Sequence, residues 1–159
     1  MCIICSGEVL GNPLERTELD ISGCGLVTAI PSELVNLRSL TAYNCPHLDT
    51  IPSLEKLERI TISDSRVMSF SGFPNLVHLE VENLMIDELS DLPEILWMSF
   101  RGCSIDCDLS GFLKLTHLTI TGTELGYIDN LPNLIYLDCS FTILDENDIS
   151  IESLRALVC

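Results

Sequence analysis

Apolar residues recur along the chain at the first, fourth and sixth positions of a repeated string. The string reads Leu37, Leu40, Ala42, then Leu57, Ile60, Ile62, then Leu76, Leu79, Val81. It continues as Ile95, Met98, Phe100, as Leu115, Leu118, Ile120, and as Leu134, Leu137, Cys139. Leu154, Leu157 and Cys159 open one more, and Arg16, Leu19 and Ile21 an earlier one. Successive strings start at 16, 37, 57, 76, 95, 115, 134 and 154, so the repeat is 19 to 21 residues long. The alternation at the end of each string predicts a short strand with one face in and one face out. A unit this short cannot bury its apolar side alone, and stacking neighbours closes a shared core.

Each unit carries further apolar positions after the strand, such as Ile86, Leu89 and Leu92, or Leu125, Ile128 and Leu131. Between the two halves sits a slot filled by Cys24, Cys45, Ser65, Leu84, Cys103, Thr123 and Thr142. Leu-x-x-Leu-x-Leu followed by this slot resembles the leucine-rich-repeat family, over roughly residues 16 to 159. The resemblance implies an α/β solenoid, mostly β, wound right-handed. Its strands form a parallel concave sheet, and its convex returns are short and largely non-helical. It also implies that slot residues point inward and bond the turn backbone, with Leu84 as a missing rung. Pro31, Pro52, Pro74, Pro93 and Pro132 fall in the returns and disfavour helix there. The expected organisation is a partial coil or cap over 1–15, seven repeats over 16–153, and an incomplete repeat or cap over 154–159. The last segment reads either as a strand with an open edge, through which a homodimer would pair, or as a short helix over 148–158 capped by Asp148.

Charge narrows the partner. The 159 residues carry a net charge of −16. Such a field repels phosphate backbones and anionic membrane surfaces and steers in a basic partner. Neither nucleic acid nor a membrane is therefore expected as a partner. No apolar run approaches the length of a membrane span, and the N-terminus lacks the basic and apolar regions of a secretory signal. The expectation is an intracellular, cytoplasmic protein with reduced thiols.

Cys2-x-x-Cys5 has the spacing of a zinc or redox pair, but no second Cys or His pair lies nearby. Cys103 and Cys107 span a turn with one extra residue, which reads as a bulge. Asp145 to Asp148 resembles the opening of a calcium loop, yet Ser150 stands where the loop needs glycine. Phosphate-loop, nucleophile-elbow and zinc-protease motifs are absent from the sequence. No catalytic residue, metal site or cofactor is expected, and the chain is read as a non-enzyme.

The repeat register assigns three outward columns on the sheet. The first contains Arg59, His78, Trp97, His117 and Tyr136 on successive rungs, the second Glu80, and the third Tyr43, Glu82 and Arg101. The first column gathers the single Trp with two of three His. Trp, Tyr and Arg are the commonest interface hot spots. Rings stacked along a sheet also stabilise it, so both readings of the column stand. These nine residues are the expected partner-binding set. The leading expectation is a protein-interaction module taking a protein or peptide on the concave sheet. Alternatives are the recognition part of a larger receptor or effector, and a metal or redox protein built on Cys2 and Cys5.

Overall fold

The computed structural model describes residues 4, 12–123, 125, 128–144 and 149–158. A single 3-10 turn, Pro13–Glu15, precedes the strands, with the Asn12 side chain accepting from the Leu14 amide. The strands are β1 (Glu18–Asp20), β2 (Ser39–Ala42), β3 (Arg59–Ser63), β4 (Ser69–Ser71), β5 (His78–Glu82), β6 (Met85–Ile86) and β7 (Glu88–Ser90). They continue as β8 (Trp97–Arg101), β9 (Ser104–Ile105), β10 (His117–Thr119), β11 (Ile128–Asp129), β12 (Tyr136–Asp138), β13 (Ile149–Ser150) and β14 (Ala156–Val158). Eight of them form one parallel sheet in the order β1-β2-β3-β5-β8-β10-β12-β14. This is the mostly-β parallel solenoid that the repeat predicts, and the strand pairing follows the repeat register: Leu40 pairs with Ile60, Leu79 with Met98, and Leu118 with Leu137.

The core is one stack of similar layers. Leu37, Leu57, Leu76, Leu115 and Leu134 are fully buried, as are Leu40, Ile60, Leu79, Met98, Leu118 and Leu137. The slot residues close each layer. Cys45 Sγ donates to Ile21 O at 3.2 Å, and Cys103 Sγ approaches Val81 O at 3.6 Å. Thr123 Oγ1 donates to Phe100 O at 3.2 Å. Each of these links one rung to the rung before it. Leu84 fills the same slot as buried hydrocarbon and brings no such donor.

The residue before the slot has a conformation the repeat string does not mention. Gly23, Asn44, Asp64, Asn83, Gly102, Gly122 and Phe141 all have positive φ, between 47° and 73°. This left-handed residue turns each rung out of the sheet. Gly, Asn and Asp tolerate that region best, which accounts for six of the seven.

The returns are extended rather than helical, and they pair. β4 lies against β7, β6 against β9, and β11 against β13, each as a two-stranded parallel ribbon. Outside the strands the rungs are also braced by side chains. Asn36, Asn75 and Asn133 donate Nδ2 to Leu14 O, Glu55 O and Leu113 O, one rung earlier, at 2.6 to 2.7 Å.

Of the two readings of the C-terminal segment the strand is the one found, and one expectation changes. Over 149–158 the chain forms β13 and β14, not a capping helix, because Ala156 to Val158 continue the sheet register onto Tyr136 to Asp138. Asp148, the proposed cap, lies outside the described residues. Cys139 is disulfide-bonded, unlike Cys24, Cys45, Cys103 and Cys107, so reduced thiols throughout are not what the structure holds. The Cys2/Cys5 pair and the Asp145–Asp148 turn also lie outside the described residues.

Candidate functional site

Strand pairing places Arg59, His78, Trp97, His117 and Tyr136 on one line across the open face of the sheet. Backbone bonds hold that line. The amides of Trp97, His117 and Tyr136 donate to Val77 O, Leu96 O and Thr116 O at 3.1 to 3.2 Å. All four ring-bearing residues are partly buried.

The rings do not form one continuous stack. His78 and Trp97 stack with centroids 3.9 Å apart and planes 6° from parallel. His117 and Tyr136 stack at 5.8 Å and 28°. No ring contact joins Trp97 to His117. The single stripe expected from the register is therefore two pairs. His117 is fixed separately, its Nδ1 lying 2.9 Å from Thr116 Oγ1.

The first pair is packed into a charged surround. Arg101 donates to Glu80 Oε1 at 2.7 Å, linking β8 to β5. His78 Nε2 lies 4.0 Å from the other oxygen of Glu80. Burial, aided by the Arg59 charge, lowers the pKa of His78 to about 4, against the pull of Glu80. The imidazole is thus neutral at pH 7, and its contact with Glu80 is not an ion pair. Ser99, between Trp97 and Arg101 on β8, is fully buried and its Oγ has no hydrogen-bond partner. Glu82 is exposed and pairs in register with Arg101. Tyr43 is exposed beyond β2 and is not drawn into this group.

Three features escaped the register reading. Val77 and Leu96 are exposed at 37% and 41% and adjoin His78 and Trp97 in the chain. The Leu96 amide donates to Val77 O at 3.0 Å, so these two exposed apolar residues sit on neighbouring rungs, each next in the chain to a ring of the first pair. Their signal was present as apolar residues in an x position of the repeat. A groove of about 790 Å³ also runs beside the returns, between Pro74, Leu89, Pro93, Phe112 and Leu113. None of its lining residues belongs to the ring column. A smaller hollow of about 360 Å³ opens beside His78, among Glu18, Arg38, Glu58 and Arg59.

Chemically the face offers ring faces, the neutralised Arg101–Glu80 pair, a second pair between Arg38 and Glu58 beside His78, and the exposed apolar Val77 and Leu96. Cys103 lies in the core, while His78 and His117 lie on the open face, so the sheet itself separates thiol from imidazole. No helix among the described residues is long and apolar enough to cross a membrane. No family model and no curated protein matches the chain. Among solved structures, the chain is similar to an internalin C2 from Listeria monocytogenes, at 17% identity and a TM-score of 0.46. The match covers 89% of this chain and 79% of that one.

Proposed function

We propose that this solenoid is a protein-interaction module that docks a protein or peptide on the open face of its large sheet, without catalysis. The observation that carries the reading is the partly buried His78–Trp97 stack, with exposed Val77 and Leu96 next to its rings in the chain and the Arg101–Glu80 pair on the same two strands. A rigid aromatic anchor with exposed apolar residues and a fixed ion pair is the composition of an interface hot spot. The parallel solenoid supports it, since stacked short repeats present an extended, pre-organised surface. The test is affinity capture from the source cell with wild type, Trp97→Ala and Arg101→Glu. A specific partner retained by wild type and lost from both variants is the expected result. Equal recovery on all three would sink the reading.

A second reading concerns the edge. Ala156, Leu157 and Val158 are all exposed, and among the described residues β14 pairs with β12 on one side only. Such an edge supports pairing with a second copy of the chain. Sedimentation at rising concentration measures this, and a constant monomer mass would exclude it.

A further inference from the structure

Phe141 breaks the rule that the other rungs obey. It occupies the left-handed turn position with φ 60°, where the six other rungs use Gly, Asn or Asp. It is also 89% exposed, so burial does not compensate the backbone. Ile143, two residues on, is 78% exposed. Backbone strain kept at a position where glycine would relieve it, and attached to a solvent-facing apolar pair, points to a contact made outside the chain.

The same rung supplies the polar half of a contact. Asp138 Oδ1 accepts from the Ser140 hydroxyl at 2.6 Å and the Ser140 amide at 3.0 Å. Its Oδ2 has no bond to any described residue. Glu80 is neutralised by Arg101, but the outward positions of β10, β12 and β14 hold no Lys or Arg. Asp138 is a held carboxylate with no ion pair to a Lys or Arg among the described residues; the cation next to this part of the face is exposed Arg155, just before β14. Tyr136, two residues before it, presents a ring braced by His117.

We propose that this rung, with Tyr136, Asp138, Phe141 and Ile143, is the anchoring end of the docking face, and that it takes an extended basic segment of a partner protein. A Lys or Arg of that segment pairs with Asp138 and lies over the Tyr136 ring, and an apolar side chain packs on Phe141 and Ile143. The chain's net charge of −16 favours such a segment, and the ring adds cation–π attraction. Asp138 and Phe141 are three residues apart, at most about 10 Å along the backbone. The cation and the apolar residue of the partner are then two or three positions apart. This inference rests on the protein-docking reading above.

The test selects a displayed library of random 12-residue peptides on the wild-type chain. Winners are then measured by anisotropy against Asp138→Asn, Phe141→Gly and Trp97→Ala. The expected winners carry Lys or Arg two or three positions from Leu, Ile, Phe or Met. Asp138→Asn and Phe141→Gly are each expected to weaken them at least tenfold, and added salt to weaken them further. Phe141→Gly relieves strain, so its melting temperature should not fall, and lost affinity then reports a lost contact. No enrichment, winners without a cation, or winners indifferent to Phe141→Gly would overturn the proposal. Winners that fail on Trp97→Ala but bind Phe141→Gly normally would overturn it while leaving the docking reading intact. A doubled mass that reverts to monomer with Phe141→Gly would also overturn it, since the occupant would be a second copy.

Discussion

His78 and Trp97 face each other from neighbouring strands with ring centroids 3.9 Å apart and planes 6° from parallel. The stack covers an imidazole whose side chain is only 19% exposed, and it explains why the proton is held so weakly. A buried imidazolium loses hydration, and the nearby Arg59 charge repels it; Glu80 recovers only part of that loss.

A pH dependence follows. The pKa of His78 falls from 6.5 to about 4 on folding. Between those values the unfolded chain binds more protons than the folded one, so stability rises with pH through this window. The contribution is complete above about pH 6.5 and is lost on acidification towards pH 4, amounting to up to ~3 kcal/mol. Denaturant melts at half-unit pH steps measure it. His78→Leu should flatten the slope between pH 4 and 6.5, and an unchanged slope would show that other groups cause it.

Trp97→Ala should lower unfolding free energy by about 1 kcal/mol, since the lost stack is only partly buried and aromatic pairs contribute about 0.5–1.5 kcal/mol. The parallel ladder around it should persist, because its bonds run through backbone amides. Circular dichroism and chemical denaturation check both points. A collapse of the fold would mean that the ring belongs to the core and not to the face.

Gly102 and Gly122 allow a paired test of the left-handed column. Both have φ near 60°, but a Cβ on Gly102 would come within 2.8 Å of Asn83 Oδ1, whereas one on Gly122 meets nothing nearer than 3.9 Å. Gly122→Ala should cost about 1 kcal/mol from the backbone conformation alone. Gly102→Ala should cost more, because Asn83 must also move and its bond to Asp64 Oδ1, 3.1 Å long, is disturbed. Equal losses measured by urea titration would refute the contribution of Asn83.

The thiols should label in a fixed order. Cys45 and Cys103 are buried, and burial pushes the Cys103 thiol above its ordinary pKa. Cys107 is half-buried, and its thiol is also raised, by burial and by the neighbouring acids. Under native conditions an alkylating reagent should reach Cys107 before Cys45 and Cys103, which label only on unfolding. Peptide mass mapping over time reads this, and early labelling of Cys45 or Cys103 would contradict the inward slot.

What the sequence made legible was what periodicity encodes. The inward Leu37, Leu57 and Leu76 and the line from His78 to Tyr136 follow from spacing alone, because stacked short strands must repeat their register. The split of that line into two ring pairs was hidden, since it depends on rotamers and on how Thr116 holds His117. The Arg101–Glu80 bond was hidden for the same reason. The burial of Ser99 was not legible either, since a serine at an outward register position is ordinarily solvated. The brace of Asn36, Asn75 and Asn133 was visible as a recurring residue but was not read, because an exposed Asn in a return has many other uses. The left-handed column of Gly, Asn and Asp was visible in the same way.

Phe141 provides the strictest test of that column. Because the ring is 89% exposed, removing it forfeits little burial, while its φ of 60° is disfavoured for any residue with a large side chain. Phe141→Gly should therefore stabilise the chain by about 0.5–1 kcal/mol, even after glycine's greater freedom in the unfolded state is counted. At this chain length that is a rise of about 1–4 °C in melting temperature. Phe141→Asn should gain a similar amount, since Asn tolerates the left-handed region and already fills it at Asn44, Asn83 and Asn130. Phe141→Ala keeps the Cβ and should gain little. The order Gly and Asn above Ala, read by calorimetry, is the signature of backbone strain. If Ala stabilises as much as Gly, the gain comes from removing an exposed apolar side chain, and the strain attributed to the turn is not there.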